Sequence, residues 1–128
     1  MRLLLDTHAF IWLTSRGAQM SSAALRMLRD PDNDLLVSIA SIWEMGIKSN
    51  HGKLTLADPF PQFVRRGFAE NKIDLLPISV DHVVRFERLP RHHKDPFDRM
   101  IAAQALEENV PVIGRDRMLD EYGVDRRW

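Results

Sequence analysis

Met1-Arg2-Leu3-Leu4-Leu5-Asp6-Thr7-His8 opens the chain, and its three consecutive apolar residues closed by an acid set how the rest is read. An alternating pattern marks a strand with one buried face. An unbroken apolar run suits a strand buried on both faces, as in a parallel sheet covered by helices. Leu3–Leu5 is therefore read as the first, central strand, with Asp6 at its C-terminal end. A second such run, Leu35-Leu36-Val37-Ser38-Ile39, follows the turn-rich Pro31-Asp32-Asn33-Asp34 and leads straight into Ser41-Ile42-Trp43-Glu44, where a helix is predicted to begin.

The segments between and after these runs read as helices. Thr7–Leu13 is helix-compatible. Ser21-Ser22 caps a second helix whose Ala24, Leu25, Met27 and Leu28 fall at helical spacing and which Asp30-Pro31 stops. Phe60, Phe63, Val64 and Phe68 predict a helix between Pro59 and Lys72, with Pro61 tolerable in its first turn only. Ile73–Ile78 resembles a third strand, and Asp81–Leu89 a helix with Val83, Val84 and Phe86 inward. Asp95-Pro96 opens the longest clean helix, Phe97–Asn109, followed by a short strand in Val110–Ile113 that Gly114-Arg115-Asp116 ends and a last one around Val124. Strands alternating with helices predict an α/β fold: a single domain over residues 1–128, its mainly parallel central sheet flanked by helices on both faces.

Composition agrees with one globular domain. The chain has 128 residues, 45% of them hydrophobic and 28% charged, which excludes intrinsic disorder, collagen and coiled coil. It has no cysteine, which removes disulfide scaffolds, thiolate metal sites and a Cys nucleophile, and favours a cytoplasmic location. The apolar run at the start is far shorter than a signal-peptide core, and no stretch approaches the roughly 20 apolar residues of a membrane span. Lys plus Arg and Asp plus Glu number 18 each. Binding to nucleic acid must then come from uneven placement of charge.

That placement is informative. In a parallel sheet with crossover helices, strand C-termini and helix N-termini share the edge where such folds bind ligands. Asp6 ends the first strand, Glu44 is expected in the first turn after the second, Asp98 in the first turn of the long helix, and Asp116 just past Val112-Ile113. All four are expected on one rim, with Asp95 and Asp120 as auxiliary acids. Each has a bland alternative: Asp6 as a helix cap, Ser41-x-x-Glu44 as a capping box, Asp95-Pro96-x-Asp98 as an N-cap with an acid at the third helical position. Helix starts alone, however, predict scattered acids. Several carboxylates brought together raise one another's pKa or demand a cation. Oxygen ligands, with neither Cys nor a His-x-x-x-His pair, point to Mg²⁺ or Mn²⁺, ions suited to phosphate chemistry.

Leu4-Leu5-Asp6-Thr7-His8, Ser38-x-x-Ser41-x-Trp43-Glu44, Asp95-Pro96-Phe97-Asp98-Arg99-Met100-Ile101-Ala102-Ala103-Gln104-Ala105 and Ile113-Gly114-Arg115-Asp116 together resemble the motifs of PIN-domain proteins, specifically the VapC-like toxins of bacterial toxin–antitoxin pairs. The resemblance covers nearly the whole chain. It implies a Mg²⁺-dependent endoribonuclease whose acidic quartet is Asp6, Glu44, Asp98 and Asp116, with Asp95 as an additional acid, and it implies a cognate antitoxin protein and a homodimer. Gly114 departs from the pattern, since many relatives carry Thr or Ser there.

Basic residues complement the acids. Arg91, His92, His93 and Lys94 form a cationic loop before the long helix, and Arg99, Arg115 and Arg117 flank two of the acids. Arg91, Lys94, Arg99 and Arg115 are the expected contacts to substrate RNA, because phosphates approaching an acidic site need such neighbours. Neither His92 nor His93 is assigned as a metal ligand. His8 is read as either a packing residue or a hydrogen-bonding residue at the site's edge. Trp12 and Trp43 fall on apolar helix faces and are read as core. Phe60, Phe63 and Phe68 offer a docking surface, core packing claiming most of them.

Two other readings compete. A haloacid-dehalogenase-type phosphatase needs Asp-x-Asp after its first strand, but Thr7-His8 follows Asp6 here; a receiver domain needs an Asp and a Lys at strand ends where this chain has neither. The remaining alternative is a non-catalytic RNA- or protein-binding module on the same fold.

Overall fold

The computed structural model describes residues 1–17 and 19–128. In chain order its elements are β1 (Arg2–Leu5), α1 (Thr7–Thr14), α2 (Ser22–Arg29), β2 (Asp34–Ser38), α3 (Ile39–Asn50), α4 (Phe60–Asn71), β3 (Ile73–Leu76), α5 (Val80–Arg88), α6 (Pro96–Glu108), β4 (Val112–Ile113), a 3₁₀ turn (Arg117–Tyr122) and β5 (Arg126–Arg127). The sheet runs β3-β2-β1-β4-β5 with every pairing parallel, so the first strand is the central one. Its unbroken leucines follow from that position. Leu3 and Leu5 face one core with Phe10, Leu28, Val37 and Phe63, and Leu4 faces the other with Ile101, Ala102, Ala105 and Val112.

Local chemistry sets the helix ends. Ser21 accepts a hydrogen bond from the Ala24 amide at 3.0 Å and starts α2. Asp30, held extended before Pro31, ends it. Pro61 sits at the start of α4, and Lys72 closes that helix in the left-handed region. Gly67 brings α4 against α1: a Cβ there would come within 2.6 Å of the Phe10 ring. No helix among the described residues is long and apolar enough to cross a membrane.

Four expectations change. Helix α3 starts at Ile39, because the Ser38 hydroxyl accepts from the Ala40 amide at 3.0 Å and takes the capping role expected of Ser41. The inward face of α5 is His82 and Phe86, with Leu89 buried just past its end, while Val83 and Val84 are exposed. His82 can be buried because both ring nitrogens find partners, the Ser79 amide at 3.0 Å and Glu108 at 3.1 Å. The last strand lies just after Val124, which is buried against the second core. Trp12 packs against the first core as expected, but Trp43 is 63% exposed. The inward side of α3 is occupied by Ala40, Ser41, Glu44 and Met45, so Trp43 lies outside that stripe and meets Phe97 edge-on at 5.2 Å. Of the three phenylalanines expected to offer a docking surface, Phe63 is fully buried and Phe68 packs on Phe10 at 5.6 Å, leaving Phe60 half-buried.

Candidate active site

Crossovers leave β1 toward β2 on one side, and β4 pairs on its other side. The strand order therefore reverses between β1 and β4, which opens a crevice at their C-terminal ends. Asp6 stands on one wall of that crevice and Gly114 on the other.

Asp6 caps α1: its Oδ1 accepts from the Ala9 amide at 2.8 Å. The cap uses one oxygen only, and among the described residues the other accepts no hydrogen bond. The residue is 8% exposed. Gly114 makes room for it, since a Cβ at that position would lie 2.9 Å from the Asp6 Cγ and closer still to Oδ2. The absence of a side chain at Gly114 is thus part of how Asp6 is seated. Burial first, then the negative charges of Asp98, Asp116 and Glu44, raise the Asp6 pKa to about 7, while the Ala9 hydrogen bond pulls it down.

Glu44 lies in the second turn of α3, not in a capping box. It is buried, with Oε2 2.7 Å from Lys48 Nζ and Oε1 2.7 Å from Thr7 Oγ1. Thr7 Oγ1 also lies 2.9 Å from Ser41 Oγ. Its single proton goes to the carboxylate, so it accepts from Ser41. Glu44 raises the Lys48 pKa, chiefly through that short hydrogen bond and, after the opposing effect of burial, by charge; Asp95 and Asp98 add to it.

Asp98 sits in the first turn of α6, whose N-cap, Asp95, accepts from the Phe97 and Asp98 amides at 2.8 and 3.3 Å. Burial and the charges of Asp95 and Glu44 push the Asp98 carboxyl above its ordinary range, against a hydrogen bond at 2.9 Å with His93 Nε2. Asp116 caps the 3₁₀ turn through the Met118 amide at 2.9 Å. Ligand atoms of His93, Asp98 and Asp116 all lie within 4.8 Å of one another, a grouping able to hold a divalent metal ion.

Of the remaining expected residues, Asp120 is paired with Arg126 at 2.8 and 3.1 Å. Arg91, Lys94, Arg115 and Arg117 are exposed. Arg99 is tied elsewhere: its guanidinium lies over the Phe86 ring at 4.5 Å and donates to the Leu89 carbonyl. His8 is exposed and rests on the Trp12 ring at 5.4 Å. Sequence reasoning missed Lys48, Thr7 and Ser41 as supports of Glu44. The four-residue spacing from Glu44 to Lys48 was a readable signal; the Thr7–Ser41 contact spans two elements and left none.

An acid-rimmed crevice at the switch point of a small parallel sheet is the form of a PIN domain, and the chain belongs to that family, whose model matches residues 3–125. Among its relatives is Ribonuclease VapC22 of Mycobacterium tuberculosis, 26% identical over 121 residues that cover 94% of this chain and 91% of that protein. The fold is similar to VapBC2 from Rickettsia felis bound to a DNA fragment from its promoter, with a TM-score of 0.76, 13% identity and 100% and 99% of the two chains covered. It is also similar to VapBC-1 from nontypeable Haemophilus influenzae, with a TM-score of 0.69, 17% identity and 99% and 97% covered.

Proposed function

We propose that this chain is a metal-dependent endoribonuclease that works in the cytoplasm as the toxin of a toxin–antitoxin pair. The observation that carries the reading is Asp6: a carboxylate nine-tenths buried, with one oxygen unpartnered among the described residues, on which the charges of Asp98, Asp116 and Glu44 converge. Such a group fits a hard divalent cation, Mg²⁺ or Mn²⁺, and Asp6, Glu44, Asp98 and Asp116 would hold it directly or through water. When bound, the ion supplies Lewis acidity toward water and the scissile phosphate. The chain's own residues do the positioning. Thr7 and Lys48 fix the Glu44 carboxylate, and Gly114 lets Asp6 lean into the crevice. Exposed Arg91, Lys94 and Arg115 would meet the phosphates of RNA.

The matched relative is named a ribonuclease, and VapBC and other toxin–antitoxin complexes recur among the similar structures. That supports a cognate antitoxin that silences the site; an Arg reaching the carboxylates would do so by occupying the cation's place. The chain is also proposed to form a homodimer.

Hydrolysis by water has no need of the RNA 2′-hydroxyl, so the purified protein with Mg²⁺ or Mn²⁺ should leave 5′-phosphate and 3′-hydroxyl ends on mixed RNA. Ends bearing a 2′,3′-cyclic phosphate would overturn the mechanism, and no metal-dependent cleavage would favour the non-catalytic alternative. Expressed alone, the chain should slow growth, and co-expression of its cognate antitoxin should restore it.

A second expectation comes from Gly114. In Gly114→Ala the new methyl group must displace the Asp6 carboxylate, and cleavage should fall about 10- to 100-fold, since a small misplacement of a reacting group costs that much. Rates measured beside the thermal midpoint check this. Full activity in a folded variant would show that the seat of Asp6 is loose.

A further inference from the structure

His93 lies in the basic loop between α5 and α6, with its Nε2 2.9 Å from Asp98 Oδ2. The ring is well directed. It is part of the only group of three or more His or acidic residues among the described residues whose ligand atoms lie close enough to share one ion, together with Asp98 and Asp116. Its neighbour His92 faces elsewhere, against the Tyr122 ring at 5.4 Å and near Glu121 at 3.9 Å.

The 2.9 Å separation has a second meaning. Two ligands about 2.1 Å from one ion and at right angles are themselves about 3 Å apart. A hydrogen-bonded His–carboxylate pair at this distance therefore has the spacing of two adjacent ligands, and an ion lying off the N–O line can engage both once the ring turns toward it. An independent feature also points to a cation here. Asp6, nine-tenths buried, leaves its second oxygen unpartnered among the described residues, and the charges of Asp98 and Asp116 both act on it.

We propose that His93 is itself a ligand of the metal site, joining Asp98 and Asp116 through Nε2, and that it makes the site prefer Mn²⁺ to Mg²⁺. This rests on the metal-dependent reading above. Its chemistry is that of the donor atoms: carboxylates and water serve Mg²⁺ and Mn²⁺ alike, whereas an imidazole nitrogen favours the softer transition ions and is a poor ligand for Mg²⁺. The opposing possibility gives the opposite sign. If His93 merely neutralises Asp98 as a cation, the metal must displace it, and removing it should tighten binding of both ions.

The test compares the wild-type chain with His93→Ala and, as a control on the same loop, His92→Ala. Binding of Mn²⁺ is followed by its electron paramagnetic resonance signal and binding of Mg²⁺ by competition, with no RNA present. His93→Ala should weaken Mn²⁺ binding about tenfold or more and leave Mg²⁺ within about twofold, while His92→Ala changes neither. Bound Mn²⁺ in the wild type should show nitrogen-14 modulation in its spin echo, and this should vanish in His93→Ala. The thermal midpoint of each metal-free variant shows whether it is folded. Mn²⁺ bound by the wild type without nitrogen modulation would overturn the ligand role while leaving the metal-dependent nuclease standing, as would a tighter His93→Ala. Failure of the wild type to bind either ion would overturn both.

Discussion

Asp6→Asn should abolish RNA cleavage, by on the order of a thousandfold or more, and at the same time make the metal-free protein more stable above neutral pH. Both effects have one cause. The carboxylate is buried beside three other acids, and its pKa stands at about 7 in the folded chain against a usual 3.8. Between those values the folded state holds a proton that the unfolded state has already released. Stability therefore falls as pH rises through this window, and the loss, a few kcal/mol, is fully in place above pH 7. Asn removes the titration. It also keeps the cap, because its carbonyl oxygen can accept from the Ala9 amide as Asp6 does. Thermal midpoints in EDTA from pH 4 to 8 should show the wild type declining more steeply than the variant. A variant that cuts RNA normally would show that the carboxylate is only a helix cap.

Asp98→Asn should also cost about a thousandfold in cleavage, the scale of several kcal/mol of transition-state stabilisation lost with one anionic group. Its effect on folding should be small. Asp98 is half-buried at the third position of α6, where the helix dipole favours a negative charge by about 0.3–1 kcal/mol, while the burial and neighbouring acids that raise its pKa oppose that gain. The cap itself is untouched, because Asp95 makes it. Turnover and thermal midpoint measured on the same preparation separate the two contributions. Loss of stability without loss of cleavage would assign Asp98 to the helix alone.

The two-sided strands were readable because burial on both faces leaves no polar position to hide, and Leu3–Leu5 and Leu35–Val37 are where the sequence places them. With the parallel order established, the rim positions of Asp6, Asp98 and Asp116 follow from counting to the ends of elements. What failed was local competition between equivalent signals. Ser38 and Ser41 are both good caps three residues apart, and only the sheet's end decides that Ser38 is used. Val83 and Val84 look like core until a satisfied His82 takes the inward face of α5. Arg99 reads as a phosphate ligand because it flanks Asp98, and its guanidinium also covers Phe86, a contact between two helices that no spacing announces. His93 was legible as a residue near the site but not as a partner of Asp98, since a loop has no period from which to infer direction.

The central strand has one neighbour soon after it and another very late: Leu5 pairs with Val37 on one side and with Ile113 on the other. The second pairing closes a loop of more than a hundred residues, the kind of contact that forms slowly and contributes least to early folding. It is also the contact that brings Asp116 to Asp6. Electrostatic repulsion is thus concentrated at the seam with the longest chain closure, and any cation that settles there would act as a rivet for the fold. By mass action, a divalent ion at a hundred times its dissociation constant should add about 2.7 kcal/mol to the unfolding free energy. Metal supply would then set how readily the folded chain opens to a protease, a readout that needs no RNA.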